Sequence, residues 1–221
     1  MMVATLSADI VRSTSLEMSD LIELRHKILY FLDEMERKYE GFWGRMVKGD
    51  SIECYIPDCD SALRIAILIK LLVKRVVGNN ECSDLLKRHG IRFSIGMGNI
   101  RYVDRKNDII DGPAIYISGR NLDAISLEKD YSAIELEGAS KDLNSFLESY
   151  VAMISNIVDS YSAKRAEVIF FKLLGYKERD ISEKIGVFQS SGNIRSTSAQ
   201  WRLLHSAIND FENLNFEELC G

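Results

Sequence analysis

Two aspartates, Asp9 and Asp50, stand where a folded chain can bring carboxylates to one point. Val3 to Ala8 is short, apolar and β-branched at its start, which reads as a buried strand with Asp9 at its end. Phe42 to Val47 and Ser51 to Ile56 read as two more strands. Lys48-Gly49-Asp50 joins them as a tight hairpin turn, where glycine tolerates positive φ. With the first strand beside that hairpin, the two carboxylates converge. Carboxylates a few ångströms apart repel unless a cation separates them. The expected cation is Mg²⁺, or Mn²⁺ in its place, held by one or two carboxylates plus phosphate oxygens. With two ions such a site supports in-line attack at a phosphoryl centre. The competing reading makes them unrelated strand-end aspartates in turns.

Other elements must hold these positions. Leu21 to Tyr39 is helical, with Leu24, Ile28, Phe31, Leu32 and Met35 on one apolar stripe. Gly41 ends it. Pro57-Asp58-Cys59-Asp60 introduces a second helix with Asp60 as its expected N-cap. Asn79 to Ser83 reads as loop and Ile91 to Met97 as a strand. Residues 101–111 carry six charges and read as a solvated loop or loose hairpin. Gly112-Pro113 opens a helix through Ala124, and Tyr131 to Leu136 reads as a last strand. Beyond Gly138 everything reads as helix, with breaks at Gly175, Gly186 and Gly192. The expected division is an α+β domain over 1–138 and a helical domain over 139–221.

Bulk properties narrow the function. The chain has 221 residues, 46% of them hydrophobic, enough for one large domain or a medium and a small one. A net charge of −5 argues against nucleic-acid binding by the whole surface, though not by a local basic patch. Four cysteines without a C-x-x-C pair, and three histidines far apart, argue against zinc and against a disulfide framework. The expectation is reduced cysteines in a cytoplasmic protein. The N-terminus has no basic region or cleavage pattern and does not read as a signal peptide. The longest apolar run, Ala62 to Val77, is interrupted by Arg64, Lys70, Lys74 and Arg75 and is too short and too charged to span a bilayer.

Four segments, SADIVRSTS, VKGDSIECYI, IRFSIGMG and DGPAIYISGRNL, resemble in order the sequence blocks of class III nucleotide cyclases. They resemble still more the compact bacterial SatD family, over residues 3 to about 125. The resemblance implies a ferredoxin-like, palm-type cyclase domain in which Asp9 and Asp50 bind metal and Arg120 stabilises the transition-state phosphate, a role that suits a guanidinium fork. It also implies phosphate contacts from the Ser13-Thr14 loop and from Lys48, and a homodimer with composite sites. The sequence departs from the cyclase pattern twice. Tyr116 stands where an asparagine is usual, and Met46 where the base-selecting lysine is usual.

From Ala163 the chain reads as three helices: one burying Val168, Phe171 and Leu174, a second from Glu178 to Lys184, and a third from Gln189 toward Phe211. This resembles the tri-helical DNA-binding domains of bacterial regulators and sigma-factor tails. On that resemblance the third helix enters the major groove, and Gln189, Ser190, Asn193 and Arg195 face DNA. Residues 161–209 hold eight Lys/Arg against four Asp/Glu, a local balance of +4. Phe188 and Gly192 stand where capping and apolar packing residues are usual. A helical lid or dimerisation domain is the alternative.

Three readings follow: a DNA-binding transcription regulator sensing a nucleotide or metal, a diverged nucleotidyl cyclase or other phosphoryl-transfer enzyme using Mg²⁺, and an interaction module with a dead site. None involves a membrane.

Overall fold

The computed structural model describes residues 2–47, 49–78, 80–128 and 131–220. In chain order the strands are β1 (Val3–Ile10), β2 (Trp43–Val47), β3 (Ser51–Ile56), β4 (Ile91–Gly98), β5 (Tyr102–Asp104), β6 (Ile109–Asp111) and β7 (Ser132–Leu136). The helices are α1 (Met18–Lys38), α2 (Ala62–Val77), α3 (Asp84–His89), α4 (Pro113–Glu128), α5 (Lys141–Asp159), α6 (Ala163–Leu173), α7 (Glu178–Ile185), α8 (Gln189–Ser198) and α9 (Trp201–Glu212). The fold is α+β.

Five strands form one sheet in the order β2-β3-β1-β4-β7. β1 runs antiparallel to both β3 and β4, β2 antiparallel to β3, and β7 parallel to β4. Strand alternation sorts β1 into two faces. Ala4, Leu6 and Ala8, none of them solvent-exposed, join the core beneath α1 and α2. Thr5, Ser7 and Asp9 point to the other face, where α4 lies. The Ser118 hydroxyl on α4 is 3.0 Å from that of Thr5 and 2.9 Å from that of Ser7.

α2 is apolar nearly all round, which fits a helix covered on every side. The sheet covers one side and α5, α6 and α9 the others. The apolar core is therefore continuous across residue 138, from Leu6 and Phe93 through α2 to Val151, Ile169 and Ile208. Arg64 of α2 reinforces this junction, donating to Glu212 Oε2 (2.7 Å), Asn209 Oδ1 (3.1 Å) and the Leu173 carbonyl (3.3 Å).

Lys70 and Lys74 interrupt the apolar run of α2 without reaching water. Lys70 is fully buried, 2.8 Å from Asp159 Oδ1. Lys74 donates to the carbonyls of Lys87, Arg88 and Asp159. Burial pulls both ammonium groups below the ordinary lysine value, Lys74 to about 8, against the pull of Asp159. His89 Nδ1 lies 2.7 Å from the other Asp159 oxygen, and its ring stacks on Tyr131 at 3.5 Å.

Of the two alternatives for the charged segment 101–111 the structure has the hairpin, β5–β6, docked on the body by Arg105, which donates to Glu36 (2.7 Å) and the Gly41 carbonyl (2.5 Å). Two other sequence expectations change. Asp58, not Asp60, caps the turn before α2, accepting from the Asp60 amide and the Ser61 hydroxyl. The long third helix of the C-terminal region is two helices. Gln200, in the left-handed conformation (φ 51°), separates α8 from α9.

Candidate functional site

The β1–β3 pairing brings the two aspartates to one end of the sheet. Asp9 is the register partner of both Ser51 and Arg92, and Asp50 is the residue before Ser51. The Ile10 amide donates to the Asp50 carbonyl at 3.2 Å, which ties the hairpin turn to β1. Gly49 adopts the positive φ (92°) that the turn requires. Arg25 of α1 donates to its carbonyl.

Each carboxylate has its own hydroxyl donor. Ser51 Oγ donates to Asp9 Oδ1 at 2.6 Å, and Ser13 Oγ donates to Asp50 Oδ2 at 2.6 Å. Ser13 is reached because Arg12, with φ 51° and ψ 41°, turns the chain sharply into a 3-10 turn over Ser13–Ser15. Thr14 is exposed on that turn. The Arg92 guanidinium stands 3.6 Å from Asp9 Oδ2, and its Nε is buried without a hydrogen-bond partner among the described residues. The motif reading missed Arg92. The only signal was its place in the strand, where alternation aims it at the face carrying Asp9.

The oxygen-rich donor set of Asp9, Asp50, Ser13 and Ser51 suits a hard cation. Two carboxylates hold Mg²⁺ when waters and phosphate oxygens complete its octahedral shell. Among the described residues no group of three or more His, Cys, Asp or Glu is placed to hold a metal ion by itself. Arg92 competes with a cation for Asp9 and equally offers a guanidinium to an anion.

Arg120 is not brought to this point within one chain. It lies on α4 with its side chain 68% exposed, 4.0 Å from Glu135 Oε1 on β7. Glu135 is opposite Gly96, itself opposite Thr5, so two strand spacings and four residues separate Glu135 from Asp9, roughly 16 Å. Tyr116 is also on α4, hydrogen-bonded to Asp111 and beneath Arg101. Lys48 lies outside the described residues.

The second candidate surface is the start of α8. Gly186, in the left-handed conformation (φ 67°), closes α7, and the Val187 amide donates to the Ser182 carbonyl at 3.0 Å. α8 then crosses α7 closely because Gly192 has no side chain. A Cβ there would lie 3.2 Å from Ser182 Oγ. Gly192 and Ser196 form the buried side of α8. Gln189, Ser190 and Asn193 are exposed, and Arg195 is half-buried. Phe188, 84% exposed, and Ile194, 69% exposed, flank them. The glycine that looked foreign to a reading helix is thus the residue that lets two helices touch.

No family model matches the chain, and no curated protein matches it. Among solved structures, a bacterial light-regulated adenylyl cyclase is similar with 14% identity and a TM-score of 0.41, over 64% of this chain and 87% of that one.

Proposed function

We propose that the chain is a bacterial DNA-binding regulator of the SatD family. Its ferredoxin-like, palm-type part binds a nucleotide through Mg²⁺ at Asp9 and Asp50, and α8 contacts DNA. The observation carrying this reading is the way α8 seats on Gly192 and Ser196 while turning Gln189, Ser190 and Asn193 outward. Amide side chains at the first turns of an exposed helix suit adenine edges in the major groove, and Arg195 suits a guanine or a phosphate. The local +4 balance of residues 161–209 supplies attraction to phosphate that the whole chain lacks.

The test is selection of duplexes from a random pool, followed by shift assays over a range of salt concentrations. Asn193→Ala should weaken binding to the selected duplex by about 1–3 kcal/mol and leave binding to random duplex unchanged. Failure to enrich any sequence would sink the proposal.

At the other site, Mg²⁺ would supply charge neutralisation between the carboxylates and a nucleotide's phosphates. Ser13 and Ser51 would orient those carboxylates, and Arg92 would face the phosphates. The place of Asp9 and Asp50 at the same end of the sheet keeps an enzyme reading in play, with Arg120 supplied by a second copy in a homodimer. Incubation with nucleoside triphosphates and Mg²⁺ or Mn²⁺ separates the two readings. A sensor gives Mg²⁺-dependent binding without product, and Asp50→Asn should weaken that binding about tenfold or more, the loss of a charged ligand. Cyclic or linked products that vanish in Asp50→Asn would establish the enzyme instead.

A further inference from the structure

A cavity of 770 Å³, lined by none of the residues named at either surface above, opens between α1, α2, α6 and α7. Its walls are aromatic: Phe31 of α1, Phe170 and Phe171 of α6, and Tyr176 after α6. Phe171 meets Phe170 and Tyr176 edge-on, with ring centroids 5.4 and 5.6 Å away. Two cations are set into this wall. The Arg75 guanidinium lies over Phe170 at 4.6 Å and Phe171 at 4.8 Å. The Lys184 ammonium of α7 lies over Phe171 and Tyr176, 5.5 Å from each.

Charge balance at the cavity favours an anion. Its two acidic residues are each paired with a cation of α1, Glu23 with Lys27 at 2.5 Å on the same wall and Glu34 with Arg37. Among the described residues no carboxylate comes within 4.0 Å of Arg75 or Lys184, and Glu167 of α6 acts on Arg75 only from beyond that distance. Arg75 Nη1 is buried and has no hydrogen-bond partner among them. A shielded guanidinium N–H without an acceptor is costly, and an anion in the cavity that drew the Arg75 guanidinium outward would relieve that cost. The size suits a small molecule, and an apolar box with a few placed polar groups is the usual form of such sites.

We propose that this cavity binds a small molecule with a flat apolar body and one anionic group. The body stacks among Phe31, Phe170, Phe171 and Tyr176, and the carboxylate, sulfonate or phosphate pairs with Arg75. The site stands without the DNA reading, because the test below uses no DNA. An occupant would also touch Lys184, on the helix that precedes α8.

Two fluorescent probes test this with the full chain. One is 1-anilinonaphthalene-8-sulfonate, and the other is its uncharged analogue N-phenyl-1-naphthylamine. The sulfonate should saturate at one equivalent and bind about tenfold tighter than the uncharged probe. Arg75→Leu should remove that preference while keeping binding of the uncharged probe. If Arg75→Leu does not fold, Leu174→Trp, which fills the cavity from its wall, should abolish binding of both probes. Equal affinity for the two probes in the wild type, or undiminished binding in Leu174→Trp, would overturn the proposal.

Discussion

Replacing Asp159 by alanine should cost the protein about 3–5 kcal/mol of stability, the scale for removing one partner from a buried ion pair. Asp159 closes α5 and faces three groups of the α2–α3–β4 region. Its two oxygens lie 2.8 Å from Lys70 Nζ and 2.7 Å from His89 Nδ1, and its carbonyl accepts from Lys74 at 3.2 Å. Lys70 is 0% exposed, so without the carboxylate its ammonium keeps, among the described residues, only the Ile91 carbonyl at 3.2 Å. The alternatives are deprotonation or local opening, and both cost free energy. The loss is read from urea midpoints at unchanged m-value. The pair Lys70→Met with Asp159→Leu should recover most of it, because neither charge is then left buried alone. An Asp159→Ala protein within about 1 kcal/mol of wild type would mean that water reaches Lys70 after all.

The second large effect is expected at Gly96. It lies in the middle of β4, facing α4, and a Cβ there would sit 2.2 Å from the Ala114 carbonyl oxygen and 2.7 Å from the Ser118 amide. Both obstacles are backbone, so no rotamer change relieves them and α4 must lift from the sheet. Lifting also stretches the hydroxyl contacts of Ser118 with Thr5 and Ser7. Gly96→Ala should therefore cost about 3 kcal/mol or more, despite the usual gain from replacing a strand glycine. Gly119 is the control. It is in the interior of α4 with nothing within 4 Å of its would-be Cβ, so Gly119→Ala should be neutral or stabilise by up to about 1 kcal/mol. Similar thermal midpoints for both variants would show that α4 is not held by close approach at Gly96.

Patterns local in sequence were legible. The stripe of α1, the Gly49 turn and the strand character of Val3–Ile10 and Ile91–Gly98 follow from periodicity and turn chemistry, and the place of Asp9 and Asp50 at one end of the sheet follows from setting β1 beside that hairpin. What stayed hidden depends on partners distant in the chain. Lys70 and Lys74 read only as charges breaking an apolar run, because the acid that holds Lys70 is 89 residues later. Arg92 belongs to the site only through its cross-strand partner Asp9. Gly192 looked like a helix breaker because the Ser182 it touches lies on another helix. The stop at Gln200 carries no glycine or proline, and a non-glycine residue at φ 51° is held there by its surroundings, not announced by its type.

That stop has an electrostatic consequence. An unbroken helix from Gln189 to Phe211 would run roughly 34 Å and carry Asp210 on the same rod as Asn193. The break ends the rod after about 15 Å and hands the remaining residues to α2 and α5. There Arg64 neutralises Glu212, next to Phe211. Unlike charges are thereby partitioned along one chain segment: the amide-rich start is free to meet a polyanion, while a carboxylate of the acidic end is spent inside the protein's own seam.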